Sequence, residues 1–262
     1  VLSNAQRQQF DRLSIVRLPQ AIALPDVTAM CDQVWELLSG THGIKRDDPM
    51  SWTVEKPWHF QTLSRAGVFN AMGSSPVTTA LDELLGTENW RRPKVWGRPL
   101  VTFPEVNAAW EVPSTSWHTD GVGGEEDLHA VTAFAFLAPT APGGGGTVVV
   151  TGSHHLVRQS IAASPADTPL HSSELKARLA SRHVWLRDLW TRSSAGDRTR
   201  RFLHDGAVVD GVPLHVVELT GDPGDVVLMN SRLLHAPAPN VLDAPRMMLV
   251  HITGREPESG TT

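Results

Sequence analysis

One cysteine, Cys31, stands alone in 262 residues, so no internal disulfide can form and a reducing compartment such as the cytoplasm is the expected setting. No apolar run approaches the ~20 residues that a membrane helix needs, the longest being 130–138. The polar stretch 1–9 lacks the apolar core of a signal peptide. No lysine or arginine run marks a nucleic-acid or membrane patch, and a formal net charge of -5 argues against a surface that tracks phosphates. Small molecules are the expected partners, and oligomeric state leaves no signature. With 40% apolar and 19% charged residues, 1–262 can bury a substantial core and falls within the range of one large domain.

Residues 25–39 carry proline in the first turn, Val27, Met30, Val34, Leu37 and Leu38 at helical spacing, and Gly40 at the end. Ser75-Pro76, then Val77, Leu81, Leu84, Leu85 and Gly86, repeats the pattern of cap, first-turn proline and terminal glycine. From about residue 94 the texture changes to short β-branched and aromatic runs between Gly/Pro turns, at 95–103, 130–137, 147–151, 214–219, 225–229 and 246–253. That punctuation predicts an antiparallel barrel or jelly roll, with a β core over about 94–254. The strand pattern lapses over about 156–206, where 173–190 reads as helical with Leu175, Leu179 and Leu186 on one side. This segment is expected to be a partly helical insertion between strands, and a candidate lid.

Residues 117–120 read Trp-His-Thr-Asp, and His235 follows in Leu-His-Ala-Pro. In a strand, residues two apart share a face, so His118 and Asp120 can converge on one ion while Thr119 turns away. With 12 histidines and 28 acidic residues, about one such triplet arises by chance, and alone it is equally a hydrogen-bonded strand histidine. Three further features add weight. The turn Gly221-Asp222-Pro223-Gly224-Asp225 leads into an apolar strand that delivers His235 to the start of the next. Arg246 opens the apolar run 247–250, where an inward arginine is costly unless it meets an anion. A planar guanidinium suits a carboxylate, as a dicarboxylate co-substrate would offer. Gly143 to Gly146 with Thr147 reads as a hairpin-like turn into its own strand, followed by Gly152-Ser153-His154-His155. Two imidazoles and one carboxylate on one face of a metal leave three positions open, the ligand pattern of non-haem Fe(II) oxygenases.

In these motifs the chain resembles the phytanoyl-CoA dioxygenase family of Fe(II)/2-oxoglutarate oxygenases. The resemblance covers roughly 95–254 and rests on His118-x-Asp120, the Gly-Gly-Thr strand ending in Gly-Ser-His, the Pro-Gly-Asp turn, and His235 with Arg246 eleven residues on. It implies a mainly β, double-stranded β-helix (jelly roll, cupin-like) with N-terminal helices. It implies Fe(II) held by His118, Asp120 and His235, 2-oxoglutarate held at its distal carboxylate by Arg246, and O₂ as second co-substrate. The implied outcome is hydroxylation of an aliphatic C–H with release of succinate and CO₂. Related halogenases replace the carboxylate ligand with a small residue, and Asp120 retains it.

Other residues leave two readings open. Arg98 stands where the family places a polar co-substrate contact, or on a solvated strand face. Thr147 and Asn240 are co-substrate donors or serve the backbone. Trp52, Trp58, His59 and Phe60 line a substrate mouth or pack, as do Trp185 and Trp190. His154 and His155 read as structural, and Trp117 as a packing residue beside the site. Arg198, Arg200 and Arg201 make a modest basic patch of the kind a CoA ester would want, or a solvated cluster. The competing functions are a cupin-like isomerase or hydrolase using another divalent metal, and a non-catalytic module that binds 2-oxoglutarate or another small ligand.

Overall fold

The computed structural model describes residues 1–54, 57–105, 107–121, 128–164, 172–192 and 196–256. The chain opens with α1 (Asn4–Leu13), β1 (Ile15–Leu18), α2 (Leu24–His42), the short α3 (Gln61–Arg65) and α4 (Ser75–Leu85). Eight strands follow: β2 (Arg98–Thr102), β3 (Ala130–Phe136), β4 (Thr147–Thr151), β5 (Ala207–Val209), β6 (Val212–Glu218), β7 (Val226–Asn230), β8 (His235–Pro237) and β9 (Arg246–Gly254). Between β4 and β5 lie α5 (Ser153–Ala162), α6 (Ser172–Arg182), α7 (Val184–Leu189) and a π-helical turn at Arg200–Asp205. Among the described residues no helix is long and apolar enough to cross a membrane.

The strands form two antiparallel sheets, β1-β7-β3-β9-β2 and β5-β6-β4-β8, the facing pair of a double-stranded β-helix. Side-chain alternation sorts each strand between layers. Phe134 and Phe136 of β3, Val149 of β4, Val227 and Met229 of β7, and Met248 and Val250 of β9 meet between the sheets. The alternate residues of the five-stranded sheet, among them Val131, Ala133, Leu228, Met247 and Leu249, pack against α2 and α4. Those of the four-stranded sheet, Val148, Val150, Leu214, Val216 and Ala236, pack against Leu156, Val157, Leu175, Leu179 and Leu186 of α5 to α7. Strands buried on both faces explain the near-continuous apolar runs.

Several expectations change in detail. The first long helix does not stop at Gly40. It runs to His42, and Gly43, at φ 69°, closes it by donating to the Leu38 and Ser39 carbonyls. The cap before Pro76 is Ser74 rather than Ser75, and its hydroxyl donates to the Ala21 carbonyl instead of the helix. The glycine run 143–146 is not a hairpin turn, because β3 and β4 lie in different sheets and the glycines form the crossover. A Cβ on Gly145, at φ +77°, would sit 2.8 Å from that of Asn240, so side chains are excluded there. α1 and β1 were not anticipated. α1 presents Phe10 as its only buried side chain, and β1 is a four-residue edge strand paired to β7.

The insertion also departs from its expected role as a lid. Its described helices seat on the outer face of the four-stranded sheet, so they buttress the barrel from behind. Residues 165–171 and 193–195 of it lie outside the described residues.

Candidate metal centre

His118 does not belong to a strand. It makes one isolated bridge to His235, each backbone N–H donating to the other's carbonyl at 2.9 Å. Two residues on, Asp120 N–H donates to the Ser231 carbonyl at 3.0 Å. The local backbone is therefore extended, and the alternation that a strand would supply survives without the strand. His235 opens β8 opposite Val149, with its ring toward Phe134 at 6.4 Å, in the space between the sheets.

The three side chains converge. His118 Nε2 lies 3.8 Å from Asp120 Oδ1, His235 Nε2 lies 3.5 Å from Asp120 Oδ2, and one ligating atom from each residue falls within 4.8 Å of the others. The Nδ1 atoms face backbone carbonyls, Ser116 O at 2.8 Å for His118 and Leu233 O at 3.0 Å for His235. A carbonyl only accepts, so each Nδ1 carries a proton and each Nε2 is the ring atom that faces Asp120. Thr132, from the middle of β3, donates its hydroxyl to Asp120 Oδ2 at 2.7 Å. Burial pushes the Asp120 carboxyl up, but the His235 contact, the Thr132 hydrogen bond and the His118 charge outweigh it and hold it below its ordinary range. Two imidazole Nε2 atoms and a carboxylate are a donor set suited to a divalent first-row cation. Both Nε2 atoms already face the carboxylate.

Arg246 opens β9 directly across from Thr102. It shares a face with Met248 and Val250, so it points between the sheets, and it is 5% exposed. Among the described residues its guanidinium makes no hydrogen bond or ion pair, and its Nε is buried without a partner. Burial lowers its pKa to about 10, against the pull of Glu218, so the group is still a cation at neutral pH. Glu218 is not within ion-pair distance, and its oxygens accept from Gly143 and Gly146 N–H at 2.9 and 3.1 Å. A buried cation without a hydrogen bond or ion pair of its own is costly to the fold and marks a place for an anionic ligand.

The lesser candidates divide. Thr147 is buried on β4 on the same face as Val149. Arg98 is exposed at the start of β2, opposite Val250, and lies four residues from Thr102, so roughly 13 Å along the strands from Arg246. Asn240 is spent on the backbone, donating to the Thr102 and Ala244 carbonyls and accepting from Leu242 N–H. His154 and His155 stack at 3.9 Å in the first turn of α5, outside the convergent cluster. Trp52 packs on Phe103 and Trp35, Phe60 is buried, and exposed Trp58 meets the His42 ring. Trp117 is buried and Trp185 packs edge-on against Phe202. Of the three arginines proposed as a patch or a solvated cluster, Arg198 is buried, while exposed Arg200 pairs with Asp205 and exposed Arg201 with Asp188. Thr132 and Glu218 escaped sequence reasoning. The one trace of Thr132 was a lone hydroxyl in an otherwise apolar strand.

The phytanoyl-CoA dioxygenase family model matches residues 53–248. No curated protein matches the chain in sequence. Among solved structures, the fold is similar to that of HygX from Streptomyces hygroscopicus with nickel and 2-oxoglutarate bound, at TM-score 0.53 and 16% identity over 97% of this chain and 87% of that one. It is also similar to SnoN, a non-heme alpha ketoglutarate dependent epimerase from nogalamycin biosynthesis, at 0.52 and 16% over 95% and 81%. A third likeness is to ThoJ, a non-heme monooxygenase, at 0.51 and 14% over 95% and 76%. At such identities the likeness is one of fold.

Proposed function

This chain belongs to the phytanoyl-CoA dioxygenase family of Fe(II)- and 2-oxoglutarate-dependent enzymes, and from that premise we propose that it hydroxylates an aliphatic C–H bond of a small molecule. In this reading 1–262 act as a single oxygenase domain in the cytoplasm, a setting that suits the buried free Cys31. The observation that carries the proposal is the pairing of the convergent His118, Asp120 and His235 with a buried arginine that lacks an anion.

His118, Asp120 and His235 would hold the iron, which with 2-oxoglutarate and O₂ supplies the oxidising power for hydrogen abstraction and releases succinate and CO₂. The chain's own residues prepare that chemistry. The Ser116 and Leu233 carbonyls engage Nδ1 of each imidazole and fix its orientation, which leaves Nε2 as the atom that would bind metal. Thr132 fixes the rotation of the Asp120 carboxylate. Arg246 would take the distal carboxylate of 2-oxoglutarate and set its orientation. Thr147, on the inner face, is proposed as a lesser co-substrate contact, and Arg98 as one at the exposed end of β2. The apolar residues packed between the sheets exclude water around Arg246, which strengthens its grip on an anion.

Arg198 is buried on backbone carbonyls and Arg200 and Arg201 are each paired with an aspartate, which favours a substrate without CoA phosphates. Hydrogen abstraction can also end in epimerisation, the activity described for SnoN. Oxygen incorporation from ¹⁸O₂ into product separates the two.

The test is calorimetric titration of 2-oxoglutarate into anaerobic Fe(II)-loaded protein, beside metal-free protein and His118→Ala. Binding that needs metal and is lost in the variant is expected. Equal binding by all three would remove the proposed centre.

A further inference from the structure

Arg198 of the insertion is 5% exposed, and among the described residues it meets no carboxylate within ion-pair distance. Each of its five N–H bonds instead has a backbone carbonyl. Nε donates to Val112 at 3.1 Å, Nη1 to Asp188 at 3.1 Å and Thr191 at 2.9 Å, and Nη2 to Pro113 at 3.1 Å and Leu189 at 2.8 Å. A guanidinium has five donors in a rigid plane, so this one is saturated, and it lies over the Phe202 ring at 5.0 Å.

The five acceptors fall into two groups. Two, Asp188 and Leu189, lie in the last turn of α7, where helix carbonyls are partially negative, and the third, Thr191, lies just beyond the Trp190 cap. The other two are Val112 and Pro113, in the stretch that leads to His118. Residues 112–117 form no helix or strand, and Ser116 sits at φ 63°, so tertiary ties must hold their path. Pro113 O takes a second hydrogen bond, from Trp117 Nε1 at 2.8 Å. Trp117 precedes His118, whose side chain is 49% exposed and meets the His235 ring at 4.2 Å.

We propose that Arg198 is a positioning residue for the metal centre: it clasps α7 to the Val112–Pro113 carbonyls and, through Pro113 and Trp117, holds His118 facing Asp120 and His235. The insertion would then matter to the site from behind the four-stranded sheet, and its clasp would set how well the first ligand is placed. This rests on the reading of His118 as a metal ligand.

The test is Co(II) titration of the metal-free protein, followed by the visible absorption of bound Co(II), with thermal melting in parallel. The variants are Arg198→Lys, which cannot reach both groups of carbonyls, and Trp117→Phe, which keeps an aromatic ring but loses the Nε1–H together with part of the buried indole. Leu186→Ala, in the same apolar cluster but without a bond to 112–117, controls for general loosening, and His118→Ala tests the underlying reading. The expected result is Co(II) affinity lower by about tenfold in Arg198→Lys and clearly reduced in Trp117→Phe, with an altered absorption band, while Leu186→Ala melts earlier yet binds within about twofold of the parent. If Arg198→Lys does not fold, Trp117→Phe decides. Parent-like binding in Arg198→Lys and Trp117→Phe, with binding lost in His118→Ala, overturns the clasp and leaves the metal centre standing. Weakening as large in Leu186→Ala also overturns it. Parent-like binding in His118→Ala overturns both readings.

Discussion

Thr132 Oγ1 donates to Asp120 Oδ2 at 2.7 Å, so the centre of the five-stranded sheet reaches across to hold the one carboxylate of the cluster. The donor comes from a rigid, fully buried strand, whereas Asp120 sits in an irregular segment tied down by one backbone bond to Ser231. The sheet thereby sets the rotamer of a loop residue.

Thr132→Val removes that hydroxyl at nearly constant volume. Metal affinity should fall by about tenfold, as when an outer-shell partner of a ligand is lost, and Thr132→Ser should restore most of it. Divalent-metal titration of the two variants measures this, and a Val variant that binds like the parent would leave Thr132 only a packing role.

Arg246→Met should weaken 2-oxoglutarate binding by about 2 kcal/mol or more, because a charge-assisted pair is removed. Without co-substrate the same variant should melt no lower than the parent, since a buried cation without a partner has been replaced by an apolar chain. Calorimetry and melting curves with and without 2-oxoglutarate check both halves. A large loss of stability in the ligand-free variant would assign Arg246 to structure.

Asp120→Ala should abolish substrate-dependent succinate release while the protein stays folded, because the carboxylate lies at the edge of the apolar core and not within it. Succinate assay and circular dichroism together decide the point. Unchanged turnover would take Asp120 out of the site.

His251, whose ring lies 4.7 Å from that of Trp96, has its pKa lowered from 6.5 by burial. The unfolded chain therefore takes up a proton at a pH where the folded protein resists it. Stability is fully present above pH 6.5 and declines as pH falls toward the folded-state value. His251→Gln should flatten the fall in melting temperature below pH 6.5. A parallel slope in both proteins would show that other groups set the acid sensitivity.

Most strands were legible because burial on both faces leaves near-continuous apolar runs such as 130–137, ended by Gly/Pro turns. α1 was not, since one buried phenylalanine makes no stripe, and β1 was too short to separate from a loop. The cluster could be read because His118-x-Asp120 relies on a two-residue period that survives wherever the backbone is extended. Asn240 could be read either way, because an asparagine that serves a turn and one that serves a ligand have the same spelling, and its contacts are to the backbone.

Residue order determined which side chains share a face, because helical and strand periods are local properties of the backbone: the apolar stripe of α2, the alternation along β9 and the pairing of His118 with Asp120 all follow from it. Partners far apart in sequence were decided only by the tertiary structure. His235 meets His118 through one backbone bridge, Thr132 meets Asp120 from another sheet position, Arg246 is left without an anion, and Arg198 turns from a surface charge into a buried clasp. Those outcomes depend on how two sheets and their covering helices pack, where a guanidinium's worth is set by the carbonyls and charges that chain closure brings within 3 Å.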